Sequence, residues 1–117
     1  MTEEEHIEAI RAMLPERGSA TSEALDSVEH ALEDHPQSAS LWCLRGHLIQ
    51  LSGDDEDGRE LMDALRSYKQ ALSVDPTHVE AYREIGHFYD AVLDRPEEAQ
   101  PYFELAEKVG RSQNAKH

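Results

Sequence analysis

Ala24, Val28, Ala31 and Pro36 reappear forty residues later as Ala64, Tyr68, Ala71 and Pro76. The first three return once more as Ala99, Phe103 and Ala106. Between them, Trp42, Gly46 and Ile49 reappear as Tyr82, Gly86 and Tyr89. Both sets have the three- and four-residue spacing that places side chains on one face of a helix. One set reads small–large–small and the other large–glycine–large. Small residues let two helices approach closely, and large ones fill the space between them. Self-similarity at this period marks a stacked helical repeat. Such a chain buries its apolar faces by piling units on one another, each contacting its neighbours.

The apolar pattern elsewhere agrees. Ile7, Ile10, Met13 and Leu14 mark a helix over 3–14, and Leu25, Val28 and Leu32 mark one over 22–34. Four more follow over 39–51, 60–74, 79–93 and 97–109, so the sequence predicts six helices in a single all-α domain covering 1–117. No segment alternates apolar and polar residues long enough to argue a strand. Ser22 suits a helix cap, and Pro36 and Pro76 stop two helices. Residues 15–19 read as a tight turn and 52–58 as a longer acidic one. Pro101 conflicts with a helix interior. A helix starting near Glu97 or Glu98 would put it in the first turn.

These residues resemble the tetratricopeptide repeat family, whose pattern is an aromatic, a Leu-Gly pair, a Tyr, then Ala, Phe, Ala and Pro. Tyr82, Ile85, Gly86, Tyr89, Ala99, Phe103 and Ala106 follow it closely, in a unit over 79–113. Trp42, Gly46, Ile49, Ala64, Tyr68, Ala71 and Pro76 follow it over 39–78. There Arg45 stands in the Leu slot, with Leu44 beside it to compensate, and the inter-helix loop is lengthened. A degenerate unit over 4–38 keeps Ala24, Val28, Ala31 and Pro36 but places Arg11 where glycine belongs. The resemblance implies a right-handed α-α superhelix of about three helix-turn-helix units. It also implies a concave groove, lined by the first helix of each unit, that holds a peptide or partner protein.

Charge narrows the partner. The chain has 25 acidic and 11 basic side chains, a net of −14, and residues 1–38 alone carry ten acids and two bases. Nucleic acid and anionic membranes require the opposite sign. The helical periodicity argues against disorder, despite the charge. A lone Cys43, an N-terminus without basic or apolar signal regions and short apolar runs all point to a cytoplasmic protein without membrane insertion.

Helical spacing from Trp42 and Tyr82 gives the expected groove residues: Ser40, Cys43, His47 and Gln50, then Glu80, Arg83, His87 and Asp90. The degenerate unit would add Glu5, Glu8 and Ala12. The expectation is a non-catalytic interaction module, a scaffold or adaptor, binding a polar or basic peptide. Family members that clamp a C-terminal carboxylate use Lys and Asn in these slots. Here Cys43, Leu44, His47, Glu80 and Glu84 stand there, and the two glutamates repel a carboxylate. Two alternatives stay open. One is a chaperone- or co-chaperone-like holder of a single partner. The other is self-association, as a homodimer, through Tyr102, Leu105 and Val109 on an uncapped last helix.

No cofactor or metal is expected. His47 and His87 occupy equivalent slots near Cys43, but repeat slots often receive similar residues, and no tight ligand spacing accompanies them. The acidic run Asp54 to Asp57 misses the calcium-loop register, with Gly53 and Ala64 at its first and last ligand positions. No phosphate loop, nucleophile elbow or activated cysteine pattern is present, so no catalytic residues are assigned.

Overall fold

The computed structural model describes residues 2–12, 22–52 and 61–114. The turns expected at 15–19 and within 53–58, including the acidic run, lie outside them. Helix α1 (Glu3–Ala12) opens on a reciprocal cap. The Glu5 amide donates to Thr2 Oγ1 at 3.1 Å, and the Thr2 amide donates to Glu5 Oε1 at 3.0 Å. This satisfies amides that a helix start leaves without partners. Helix α2 (Ser22–Asp34) leads through a proline turn into α3 (Ala39–Ser52), and α4 (Met62–Val74) leads through another into α5 (Val79–His87).

The two proline turns are built alike. The amides of His35 and Asp75 close the preceding helices on the carbonyls of Ala31 and Ala71. Ser38 then caps α3, its hydroxyl accepting the Leu41 amide at 3.1 Å. In the second turn the Asp75 carboxylate accepts both the hydroxyl and the amide of Thr77. These bonds hold the Asp75 carboxyl below its usual range, the hydroxyl bond contributing most. The aromatic slots clip onto the same turns. Trp42 Nε1 donates to the Pro36 carbonyl at 3.1 Å, and the Tyr82 hydroxyl donates to the Pro76 carbonyl at 2.8 Å.

Helix α5 does not continue regularly to residue 93. Phe88–Val92 form a π-helical turn, closed by the Leu93 amide on the Phe88 carbonyl, and Asp94 takes a left-handed φ of 53°. Helix α6 (Pro96–Asn114) follows. It starts one residue before the expected point and runs past Val109, to Asn114. Pro101 therefore falls in the second turn, where the amide it lacks would have bonded to the Glu97 carbonyl. The chain tolerates this on an exposed face.

The six α-helices of the described residues pair as α1/α2, α3/α4 and α5/α6, and the pairs stack in order. The repeated small and large residues meet as the pattern requires. A Cβ on Gly46 would come within 2.6 Å of the Tyr68 ring, and one on Gly86 within 2.7 Å of the Phe103 ring. Tyr68 and Phe88 are the largest fully buried side chains.

Two departures from the repeat have physical causes. Arg45 stands in the Leu slot because it bridges three helices. Its guanidinium donates to Glu29 on α2 and to the Ser67 hydroxyl on α4. Leu44 does not take over that slot; it lines the concave side. The first unit is aligned one residue differently from expectation. Ile10, not Arg11, holds the position thirty-six residues ahead of Gly46, and Ile10 is buried. In that unit Val28 replaces the aromatic of α4 and α6, so a large residue on the first helix faces a smaller slot on the second.

Candidate functional site

Helices α1, α3 and α5 are the first helices of the three pairs, and together they line a groove of about 590 Å³. Helix α1 contributes Ile7 and Arg11, α3 contributes Ser40, Cys43, Leu44 and His47, and α5 contributes Glu80 and Glu84. The i, i+4 spacings of 7/11, 40/44, 43/47 and 80/84 explain this: each pair is one turn apart on a single helix face.

Helix α1 is held against the rest by polar contacts at its N-terminal end. Ser38 donates its hydroxyl to the Glu3 carboxylate at 2.7 Å. His6 Nε2 lies 3.1 Å from Asp34 Oδ2, and its ring meets His35 edge-on with centroids 5.5 Å apart. These contacts fix the rotation of α1 that turns Ile7 and Arg11 toward the groove.

The groove has an apolar floor and charged walls. Cys43 and Leu44 are buried, Cys43 at 3% exposure, with Ile7 half-buried beside them. Burial, reinforced by the Glu80 and Glu84 carboxylates, pushes the Cys43 thiol far above its ordinary titration range. It stays a protonated, inert part of the floor at neutral pH. Tyr68, beneath, is raised in the same way, first by burial and then by Glu84, and its hydroxyl donates to the Gln50 side-chain carbonyl. Burial is the larger cause of both shifts, and the carboxylates of the α5 wall add to it. Among the described residues, neither Glu80 nor Glu84 has a Lys or Arg ion-pair partner; Glu80 lies 3.8 Å from His78. Arg11, on the opposite wall, forms no ion pair among the described residues either.

Of the eight expected groove residues, Ser40, Cys43, His47 and Glu80 line this cavity. Gln50 is half-buried and engaged by Tyr68. Arg83 and Asp90 stand outside the lining set, and the His87 ring leans edge-on against Phe103 at 5.2 Å. Helix α5 turns its 80/84 face, the counterpart of 40/44 on α3, into this cavity, and carries Arg83 and His87, the counterparts of Cys43 and His47, exposed beside it. Glu5, Glu8 and Ala12 are exposed outside the lining as well, as the one-residue change of alignment in the first unit requires. Ile7 and Arg11 take their place. An offset of thirty-six residues from Cys43 and His47 would have found both.

No group of three or more His, Cys, Asp or Glu side chains among the described residues is arranged to hold a metal ion. No described helix is long and apolar enough to cross a membrane. On the last helix, Tyr102 is half-buried and stacks on Tyr89 with centroids 5.5 Å apart. Val109 is half-buried and Leu105 is 40% exposed. The Gln113 amide reaches back to the Thr77 carbonyl at 2.7 Å.

No protein-family model matches the chain, and none of the curated proteins matches it. Among solved structures, the crystal structure of MamA superposes with a TM-score of 0.66 at 24% sequence identity. The match covers 80% of this chain and 50% of the MamA chain, so this chain spans about half of its length. MamA is a helical-repeat protein of the tetratricopeptide type. At this identity the likeness is one of fold, and the molecule is an all-α, right-handed superhelix of about three such helix pairs.

Proposed function

We propose that the chain is a non-catalytic interaction module whose α1/α3/α5 groove binds an extended, basic segment of a partner protein. The observation that carries this reading is the pair of carboxylates Glu80 and Glu84, without a Lys or Arg partner among the described residues, on one wall of a groove with an apolar floor. A Lys or Arg of the partner meets both carboxylates while its neighbours cover Ile7 and Leu44. The net charge of −14 adds long-range attraction for a basic partner and repels nucleic acid. The division into units over 4–38, 39–78 and 79–113 follows from the same reading, each unit contributing one groove helix.

Amide chemical shifts recorded while an extended Arg-rich peptide is titrated in provide the test. Saturable changes are expected at residues 40–47 and 80–84. Changes confined to the outer faces of α2, α4 and α6 would sink the groove assignment.

A second reading rests on the exposure of Leu105, which with Tyr102 and Val109 offers an apolar strip on the last helix. Self-association through that strip predicts a concentration-dependent rise in sedimentation coefficient, abolished by Leu105→Glu. A strictly monomeric protein at high concentration would eliminate it.

A further inference from the structure

Among the described residues the groove is lined by one Arg as well as by two Glu, and the two signs stand on opposite walls. Arg11 projects from α1, and Glu80 and Glu84 project from α5. Helix α3 lies between them, in contact with both. It supplies the apolar Cys43 and Leu44, with Ile7 of α1 adjoining. A uniformly basic segment satisfies only the α5 wall of such a groove and places a positive charge against Arg11.

We infer that the groove selects a segment carrying charges of both signs: an acidic residue at Arg11, an apolar residue over Ile7 and Leu44, and a Lys or Arg at Glu80 and Glu84. This rests on the groove being the binding surface. The spacing follows from packing geometry. Neighbouring helices pack with axes about 8–10 Å apart, so α1 and α5 stand roughly 16–20 Å apart across α3. An extended chain advances about 3.3–3.6 Å per residue, so about five residues cross that width. Because the charged side chains lean inward from both walls, the acid and the base fall about four residues apart, with the apolar residue between them. The buried floor beneath makes the arrangement directional. A segment laid in the reverse order puts its acid against Glu80 and Glu84 and its base against Arg11, so both contacts become repulsive.

The test uses fluorescently labelled seven-residue peptides with a central leucine and charged residues two positions to either side. One peptide carries aspartate on one side and arginine on the other. A second carries arginine on both sides, and a third carries asparagine and arginine. Binding is measured by anisotropy against the wild-type chain, Arg11→Glu, Arg11→Gln and the double variant Glu80→Lys with Glu84→Lys. Each variant is checked for unchanged helical circular dichroism.

The wild type is expected to bind the aspartate–arginine peptide most tightly. Arg11→Glu should weaken that peptide roughly three- to tenfold and tighten the doubly basic one by a similar factor, since exposed charge reversals act on this scale. Arg11→Gln should fall between, levelling the two peptides. If Arg11→Glu and Arg11→Gln leave every affinity unchanged while the double glutamate variant abolishes binding, the two-sign selection is wrong and the groove assignment stands. If the double glutamate variant also binds every peptide as the wild type does, or if no peptide binds any form, the groove assignment fails and this inference fails with it.

Discussion

Gly46 has no space for a side chain, because the Tyr68 ring occupies the position its Cβ would take. A helical glycine normally gains about 0.5–1 kcal/mol on mutation to alanine, whereas overpacking a core costs about 1–3 kcal/mol. Gly46→Ala is therefore expected to destabilise by about 1–2 kcal/mol, read from urea unfolding midpoints. A gain in stability would show that the Tyr68 contact is loose. Arg45 is a different case, since it sits in an apolar slot and is held there by Glu29 and Ser67. Replacing a partly buried ion pair by an apolar residue of similar size is often neutral, and Ser67 keeps its bond to the Asp63 carbonyl. Arg45→Leu should cost less than about 1 kcal/mol, and Arg45→Ala, which leaves a void, about 2 kcal/mol. The opposite order of the two unfolding midpoints would overturn this account. Asp75 carries a pH dependence. Its folded pKa is depressed by the Thr77 bonds, so its stabilisation is complete above the unfolded carboxylate range. That stabilisation is lost as pH falls through the lower, folded value. The stability difference between wild type and Asp75→Asn should hold above about pH 5 and shrink as pH falls from there through and below the unfolded carboxylate range, and a difference that grows would contradict the assignment.

At the scale of the helix, much is legible in the sequence because the repeat imposes spacing. All six helices stand out as periodic stripes, and the close contacts at Gly46 and Gly86 are implied by glycine recurring opposite an aromatic. The features that spacing misses share a cause, a shift of one residue. The π turn at Phe88–Val92 leaves no trace in apolar spacing, because one extra residue in a turn only rotates the side chains beyond it. Which pair lines the cavity, 80/84 or 83/87, turns on about one residue, or roughly 100° around a helix of about 3.6 residues per turn. Spacing counted from Tyr82 cannot resolve it. The same single-residue ambiguity hides Arg11 in the first unit, where an isoleucine has replaced the guiding glycine. Leu44 and Glu84 are visible as members of the carboxylate-clamp slots, but only in combination with the buried floor do they define a wall and a base. Two backbone features of these helices are open to test. Asp94 holds a left-handed φ that costs an L-residue about 1–2 kcal/mol and glycine nearly nothing. Asp94→Gly should therefore be neutral or stabilising by up to about 1 kcal/mol after the entropy cost of glycine. Pro101→Ala restores the missing bond to Glu97 on an exposed face and should raise the thermal midpoint, where a lower midpoint would mean that the proline is compensated elsewhere.

Over the whole molecule, the acidic surface and the stacked architecture answer different questions. The architecture places three first helices side by side and so creates a groove; this follows from the repeat and does not depend on charge. On the function proposed above, the net charge of −14 governs which partners approach, and the local pattern of Glu80, Glu84 and Arg11 governs which are retained. The two contributions separate with ionic strength, because long-range attraction is screened beyond about 8–10 Å near physiological salt, while contacts within the groove persist. Association rates for a basic peptide should fall steeply as salt rises, and dissociation rates should change little. The central claim, that the α5 wall of this groove is where a basic partner is held, is tested most directly by one comparison of dissociation constants. An Arg-containing peptide is titrated into the wild-type chain and into the folded Glu80→Lys, Glu84→Lys double variant at the same ionic strength. Loss of affinity by roughly tenfold or more is the predicted result, and equal affinity for the two proteins would contradict the account.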